Sequence, residues 1–237
     1  MTQLSNKSAF ITGATKGMGL AIAEKLAQHG YNLLLCARNE QELMQLKQRL
    51  EAQHAGIEIN TYPCDVSQKQ QVHALAEWAS TQPVDILINN VGIYKPVSIL
   101  EESLEDHESQ MQINFYTPYY LCQKLGRIMR EKRRGHIINI SSIASRAPVS
   151  AAGTYTVTKY ALSGLTHVLR DELRAAGVKV TEIIPGSTLT SSWEGTTISD
   201  NRFVLPTDIA QAVFTCLTLS EGANVDELMV TPQQGNI

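Results

Sequence analysis

The 237-residue sequence has no apolar run of eighteen or more residues, so no membrane-spanning helix is expected. Its first residues, M-T-Q-L-S-N-K-S, lack the hydrophobic region of a secretory signal. A cytoplasmic chain with no membrane partner is the expectation. Cysteine is sparse: Cys36, Cys64, Cys122 and Cys216 are widely spaced, and neither a C-x-x-C pair nor a His-x-His cluster occurs. Such spacing suggests no zinc site and no disulfide framework, so the thiols read as buried and reduced and no metal is expected. An excess of charge of one sign is also missing. With 20 basic and 23 acidic residues the formal net charge is -3, which makes nucleic acid a poor partner. Repeats, low-complexity stretches and linker composition are absent too, so residues 1–237 read as one domain.

What remains is an ordinary mixture, 43% hydrophobic and 18% charged, with enough apolar residues for a sizeable core. Strand-like apolar runs alternate with segments of helical period. The run at 9–11 enters I-T-G-A-T-K-G-M-G, and Leu20, Ala23, Leu26 and Ala27 then repeat with helical spacing. Further strands are expected at 31–36, 57–62, 84–88, 136–140, 178–184 and 228–230. Asn39 with Glu42 reads as a capping box, Ser67 as a cap for the helix carrying Val72 and Leu75, and Ser103 with Asp106 as a cap for a helical region reaching residue 134. A long helix is expected over 154–176, and another opens at Pro206 and Thr207. Near-continuous apolar strands alternating with helices imply a parallel, doubly wound α/β sheet with helices on both faces. Gly13, Gly17 and Gly19 then sit where a strand turns into a helix, the position at which backbone N–H groups and the helix dipole can face a phosphate.

Six motifs follow one another in order: Thr12-Gly13-x-x-x-Gly17-x-Gly19, Asn89-Asn90-Val91-Gly92, Asn114, Ser142, Tyr155-x-x-x-Lys159 and Pro185-Gly186. From about residue 8 to 190 the chain resembles the short-chain dehydrogenase/reductase family, near its carbonyl reductases and 3-ketoacyl-(acyl-carrier-protein) reductases. The resemblance implies a Rossmann-type fold with a seven-stranded sheet, a nicotinamide cofactor, hydride transfer at a carbonyl or alcohol carbon, and a homodimer or homotetramer. It implies Asn114, Ser142, Tyr155 and Lys159 as catalytic residues. The implied cofactor contacts are Gly13, Thr15, Lys16, Gly17, Met18 and Gly19, then Arg38, Asp65, Val66, Asn90 and Gly92, then Tyr155 and Lys159, and finally Pro185, Gly186, Thr188 and Thr190. Two departures stand out: Val91 replaces the alanine usual in N-N-A-G, and Thr188 replaces an apolar residue after Pro185-Gly186.

The chemistry asks for these residue types. Ketone reduction needs a proton donor at the carbonyl oxygen, and Tyr155 serves only if its pKa falls from about 10 toward neutrality. Lys159 lies one helical turn on, and a cation about 5 Å away would supply roughly 3 kcal/mol of that shift. Ser142, just after the fifth strand, can hold the substrate oxygen. Pro118 cannot donate to the carbonyl of Asn114, which leaves that carbonyl able to hold a water of a proton relay. Strand two ends Cys36-Ala37-Arg38, with no acid for a ribose hydroxyl. Lys16 and Arg38 together therefore predict NADP(H), by at least about tenfold over NAD(H), with Asp65 on the adenine side. The segment 191–205, holding Trp193 and Phe203, reads as a short substrate lid, and Tyr94, Ile143 and Val149 as candidate pocket walls. The ending Glu227-Leu228-Met229-Val230-Thr231-Pro232 lacks the usual close of ketoacyl reductases, leaving these and general ketone or aldehyde reductases as alternatives, with a non-catalytic NADP(H)-binding regulator as a third.

Overall fold

The computed structural model describes residues 7–237. Seven strands form one all-parallel sheet: β1 (Ser8–Thr12), β2 (Asn32–Ala37), β3 (Ile59–Pro63), β4 (Ile86–Asn89), β5 (His136–Ile140), β6 (Lys179–Pro185) and β7 (Glu227–Val230). Their order is β3-β2-β1-β4-β5-β6-β7. The helices are α1 (Gly17–Gln28), α2 (Glu40–Gln53), α3 (Lys69–Ser80), α4 (Leu104–Met111), α5 (Thr117–Lys132), α6 (Gly153–Arg174) and α7 (Pro206–Thr218). No helix among the described residues is long and apolar enough to cross a membrane.

The central strands β1, β2, β4 and β5 are largely apolar because both faces are covered, and successive side chains feed opposite layers. Ala9, Ile11, Leu33, Leu35, Ile86 and Ile88 pack with Ile22, Leu26, Leu43, Ile209 and Val213 of α1, α2 and α7. The alternate residues Phe10, Leu34, Leu87 and Ile137 pack with Val72, Leu75, Leu121, Leu125 and Leu173 of α3, α5 and α6. The strand order reverses between β1 and β4, which opens a crevice at their carboxyl ends, where doubly wound sheets place ligands.

Three local expectations change. Asn39 does cap α2, accepting from the Glu42 N–H at 3.1 Å, but the Glu42 carboxylate turns to Lys16 instead of closing the box. Ser67 does not cap α3, whose N-cap is Gln68; the Ser67 N–H instead donates to Asp65 Oδ1 at 3.0 Å, a local turn that competes with capping. The helical region 103–134 is not one helix. Ser103 caps α4 as expected, but Gln112–Tyr116 winds as a π-helix before α5 begins, with the Thr117 N–H reaching back to the Gln112 carbonyl. Pro118 cannot donate four residues back to Asn114, so the extra residue per turn relieves a ladder that proline would break.

Candidate active site

The glycine loop is shaped by close approach. Gly13 and Gly17 hold φ of 67° and 53°, left-handed conformations that suit glycine. A Cβ on Gly19 would overlap the Gly13 carbonyl and crowd the Asn90 side chain. The loop leads into α1, whose N-cap, Lys16, makes no side-chain capping bond and whose first turn holds no acid. Its terminal N–H groups and dipole are thus uncommitted to side chains, an arrangement suited to an anion. From the end of β4, Asn90 Nδ2 donates to the Thr12 and Gly13 carbonyls at 2.9 and 3.2 Å, while Thr12 Oγ1 accepts from the Asn90 and Val91 N–H groups. The two motifs brace each other across the crevice.

Beside this loop, α2 presents Glu42. Its carboxylate lies 3.1 Å from Lys16 Nζ. Lys16, with lesser help from Thr15 and Arg38, holds the carboxyl below the usual range despite some burial. Thr15, Lys16 and Arg38 thus all act on one negative charge, that of Glu42. Asp65 donates its N–H to Gln71 Oε1 at 2.9 Å, and the Val66 carbonyl accepts from Thr117 Oγ1 at 3.2 Å, which ties this rim to α3 and α5. Met18 packs beneath the loop against the α1–α7 layer.

On the other side of the crevice, β5 ends at Ile140 and Ser142 caps a short turn, its Oγ accepting from the Ala144 N–H at 3.1 Å. Tyr155 and Lys159 rise from the first turns of α6. The Tyr155 pKa is raised: burial pushes it up, the Ser142 hydroxyl pulls it down, and Tyr94 adds to the rise. Tyr94 sets its ring edge-on to Tyr155 with centroids 5.0 Å apart. Lys159 is 5% exposed. Its Nζ donates to the Ile140 carbonyl at 3.2 Å and lies 5.6 Å from the Tyr155 ring centroid. Burial therefore dominates the Tyr155 pKa. One helical turn places the two on a common face, but the ammonium turns inward to β5, and burial lowers its own pKa to about 8 against a smaller rise from Glu182.

Asn114 is 1% exposed and its side chain is a clamp. Oδ1 accepts from the Ile93 N–H at 2.8 Å, and Nδ2 donates to the Ile93 carbonyl at 2.9 Å and to Thr158 Oγ1 at 3.2 Å. A Cβ on Gly92 would lie 3.4 Å from Asn114 Oδ1 and 3.7 Å from Lys159 Nζ, so these motifs converge on one point. After β6, Pro185 and Gly186 pack under the C-terminal segment, where a Cβ on Gly186 would overlap Asn236 Oδ1. Thr188 Oγ1 donates back to the Gly186 carbonyl at 3.0 Å, and Thr190 would touch a Cβ on Gly17 at 3.4 Å. The segment 191–205 holds two short 3-10 turns, Ser191–Trp193 and Asp200–Arg202, closed by an edge-on Trp193–Phe203 contact at 4.9 Å. Contacts thus link Asn90 to Thr12, Gly13 and Gly19, Thr190 to Gly17, and Gly92 to Asn114 and Lys159, with Ser142 beside Tyr155.

Two features escaped the sequence. One is the π-helix at Asn114, for which Pro118 four residues later was the available signal. The other is a charged cluster behind Ser142: Arg146 Nη2 lies 2.9 Å from both Glu182 Oε2 and Glu227 Oε1. With His167 these two carboxylates have the spacing of a metal site, their ligand atoms within 4.8 Å, but the guanidinium already supplies the positive charge there.

A family model described as short chain dehydrogenase matches residues 7–200. The chain belongs to that family of oxidoreductases. Among its relatives, an uncharacterized oxidoreductase of Staphylococcus aureus (strain N315) is 34% identical over 234 residues, covering 98% of this chain and 100% of the relative. A metagenomic short-chain oxidoreductase in complex with NADP is 30% identical, with a TM-score of 0.84 and coverage of 98% of this chain and 99% of that one. L-sorbose reductase from Gluconobacter frateurii, complexed with NADPH and L-sorbose, is 26% identical with a TM-score of 0.88, covering 97% and 96%.

Proposed function

We propose that this oxidoreductase is an NADP(H)-dependent carbonyl reductase, acting in reverse as an alcohol dehydrogenase. The observation that carries the reading is the meeting of Ser142, Tyr155 and Lys159 at the carboxyl end of β5, facing an uncapped glycine-rich helix start. When bound, NADPH supplies the hydride, and its oxidised, positively charged nicotinamide favours the phenolate. Ser142 holds the carbonyl oxygen, and Tyr155 gives that oxygen its proton. Lys159 keeps a cation beneath the phenol, and the Asn114 carbonyl holds a water that connects the lysine to solvent.

The cofactor choice rests on Lys16 and Arg38, which already share an anion in Glu42. It is supported by the NADP and NADPH in the two similar solved structures. The segment 191–205, with Tyr94 across from it, forms the substrate side of a single catalytic domain. Exposed apolar side chains on and beside α5 and α6, namely Tyr116, Tyr119, Val157 and Tyr160, fit a homodimer or homotetramer in the cytoplasm. The test is NADPH oxidation with ketoacyl thioesters, diketones, pteridines and aldehydes, with Tyr155→Phe as control. Turnover of any of them that Tyr155→Phe abolishes supports the reading; NADPH binding without turnover over the whole panel replaces it with a non-catalytic one.

A further inference from the structure

Under the crevice, a row of polar side chains crosses four strands where apolar ones would be expected. Asn89, Asn139, Glu182 and Glu227 are register partners on β4, β5, β6 and β7. Asn89 Nδ2 donates to Asn139 Oδ1 at 2.8 Å, and Asn139 Nδ2 donates to Thr166 Oγ1 of α6 at 2.8 Å. Glu182 is the charged member, with 0% exposure. A carboxylate so placed is tolerated only when fully partnered, and its partners lead to the reaction centre.

Glu182 Oε2 accepts from Arg146 Nη2 at 2.9 Å and Ser163 Oγ at 3.0 Å, and Ser145 Oγ lies 3.3 Å from Oε1. Arg146 Nη1 donates to Ser163 Oγ at 2.8 Å and to the Ser145 carbonyl at 3.1 Å. Ser145 Oγ in turn donates to the Ser142 carbonyl at 2.7 Å. The turn Ile143–Ser145 that begins at Ser142 is thus tied at its far end to a buried charge in β6.

We propose that Glu182 is a positioning residue, acting through Arg146 and Ser145 on the turn that presents Ser142 and, by its charge, on Lys159. The inference rests on the carbonyl-reductase reading. Glu182 is faced by Arg146 from the turn, by His167 from α6 and by Glu227 from β7, and its charge reaches Lys159 of α6, which faces Tyr155. Burial lowers the Lys159 pKa to about 8 and Glu182 opposes that fall, so removing the carboxylate charge makes Lys159 lose its proton at a lower pH.

The test uses Glu182→Gln, Glu182→Asp and Ser145→Ala in the full chain. Lysine NMR titration of the cofactor-free protein, with Lys159→Arg for assignment, is expected to place Lys159 near pH 8 in the parent. The titration should move lower in Glu182→Gln, return in Glu182→Asp, and stay put in Ser145→Ala. With a diketone as the probe substrate, Glu182→Gln and Ser145→Ala should each lose roughly ten- to hundredfold in kcat, with the Kd for NADPH unchanged and Glu182→Asp recovering much of the loss. An unmoved Lys159 titration in folded Glu182→Gln overturns the proposal. So does a fall in NADPH affinity matching the fall in kcat, which marks general disruption. Should Glu182→Gln not fold, Ser145→Ala with parental kcat overturns it instead. Diketone turnover that survives Tyr155→Phe would overturn the reductase reading alone, and the titration would still decide the role of Glu182.

Discussion

The two walls of the crevice are built from different materials. The wall at β1, β2 and β4 is made of backbone: glycines whose missing Cβ lets Gly19 lie on the Gly13 carbonyl, an uncapped helix start, and asparagine amides gripping main-chain carbonyls. The wall at β5, β6 and α6 is made of ionisable side chains, with Tyr155, Lys159, Arg146 and Glu182 each perturbed by burial or held by an opposite charge. Backbone walls bind a constant group such as a pyrophosphate and ignore most side-chain changes. Side-chain walls do the chemistry, and their function is sensitive to protonation. The comparison predicts that mutations on the first wall are read in cofactor affinity, and on the second in turnover and pH dependence.

The largest expected effect is on the side-chain wall. Tyr155→Phe removes the proposed proton donor and should lower kcat by about a thousandfold or more, with NADPH affinity within about twofold of the parent. Stopped-flow turnover with fluorescence titration of NADPH checks both; equal losses in the two would erase the distinction between the walls. Next comes Gly19→Ala on the backbone wall. The new Cβ meets the Gly13 carbonyl and the Asn90 amide, which are backbone and a braced side chain and cannot yield easily. Overpacking of this kind costs about 1–3 kcal/mol of stability, and NADPH affinity should fall by at least tenfold, measured by thermal denaturation and calorimetry.

The charged rim of that same wall is expected to act on cofactor affinity without a cost in stability. Arg38→Ala should weaken NADPH by roughly ten- to hundredfold, one charge-assisted bond to the 2′-phosphate, and leave NADH unchanged. Lys16→Ala should do the same more weakly, because Lys16 already spends part of its charge on Glu42. Equal weakening of NADPH and NADH by Arg38→Ala would show that the rim reads something other than the extra phosphate.

The two walls also differed in how far the sequence disclosed them. The central strands were legible because burial on both faces makes them near-continuous apolar runs, as in N-L-L-L-C-A of β2, whereas β3 and β7 at the sheet edges are partly exposed. The glycine loop was legible because few residues besides glycine survive at Gly13 and Gly19. Ser142, Tyr155 and Lys159 were legible through the resemblance to the short-chain dehydrogenase family, but not the direction of Lys159, since i, i+4 fixes a helix face and leaves a four-carbon chain free to turn toward Ile140. Glu182 lies in a strand that otherwise reads as ordinary, K-V-T-E-I-I-P. Its meaning depends on Arg146 and Ser163, residues 36 and 19 positions away, and no local pattern encodes such a meeting. The π-helix was half legible: Pro118 shows where an α-helical bond fails, and the packing of Asn114 against Ile93 decides how the chain absorbs it.

The side-chain wall has an end remote from the crevice, and there the comparison gives an effect that is absent at neutral pH and grows on acidification. His136 opens β5, buried, with Nε2 2.8 Å from Thr181 Oγ1 of β6. Burial, with lesser contributions from Lys179 and Lys7, pushes its pKa down to about 3. The unfolded chain binds this proton near the ordinary histidine value of about 6.5, so between the two values the unfolded state holds more protons than the folded one. Stability from this group is therefore fully present above about pH 6.5 and is lost as pH falls toward 3, by up to about a factor of ten in the unfolding equilibrium per pH unit. Urea denaturation at several pH values should show that slope in the parent protein. His136→Gln, which keeps a donor for Thr181 but cannot ionise, should flatten it while leaving kcat at neutral pH unchanged. A parental slope in His136→Gln would show that His136 is not the source of the acid sensitivity.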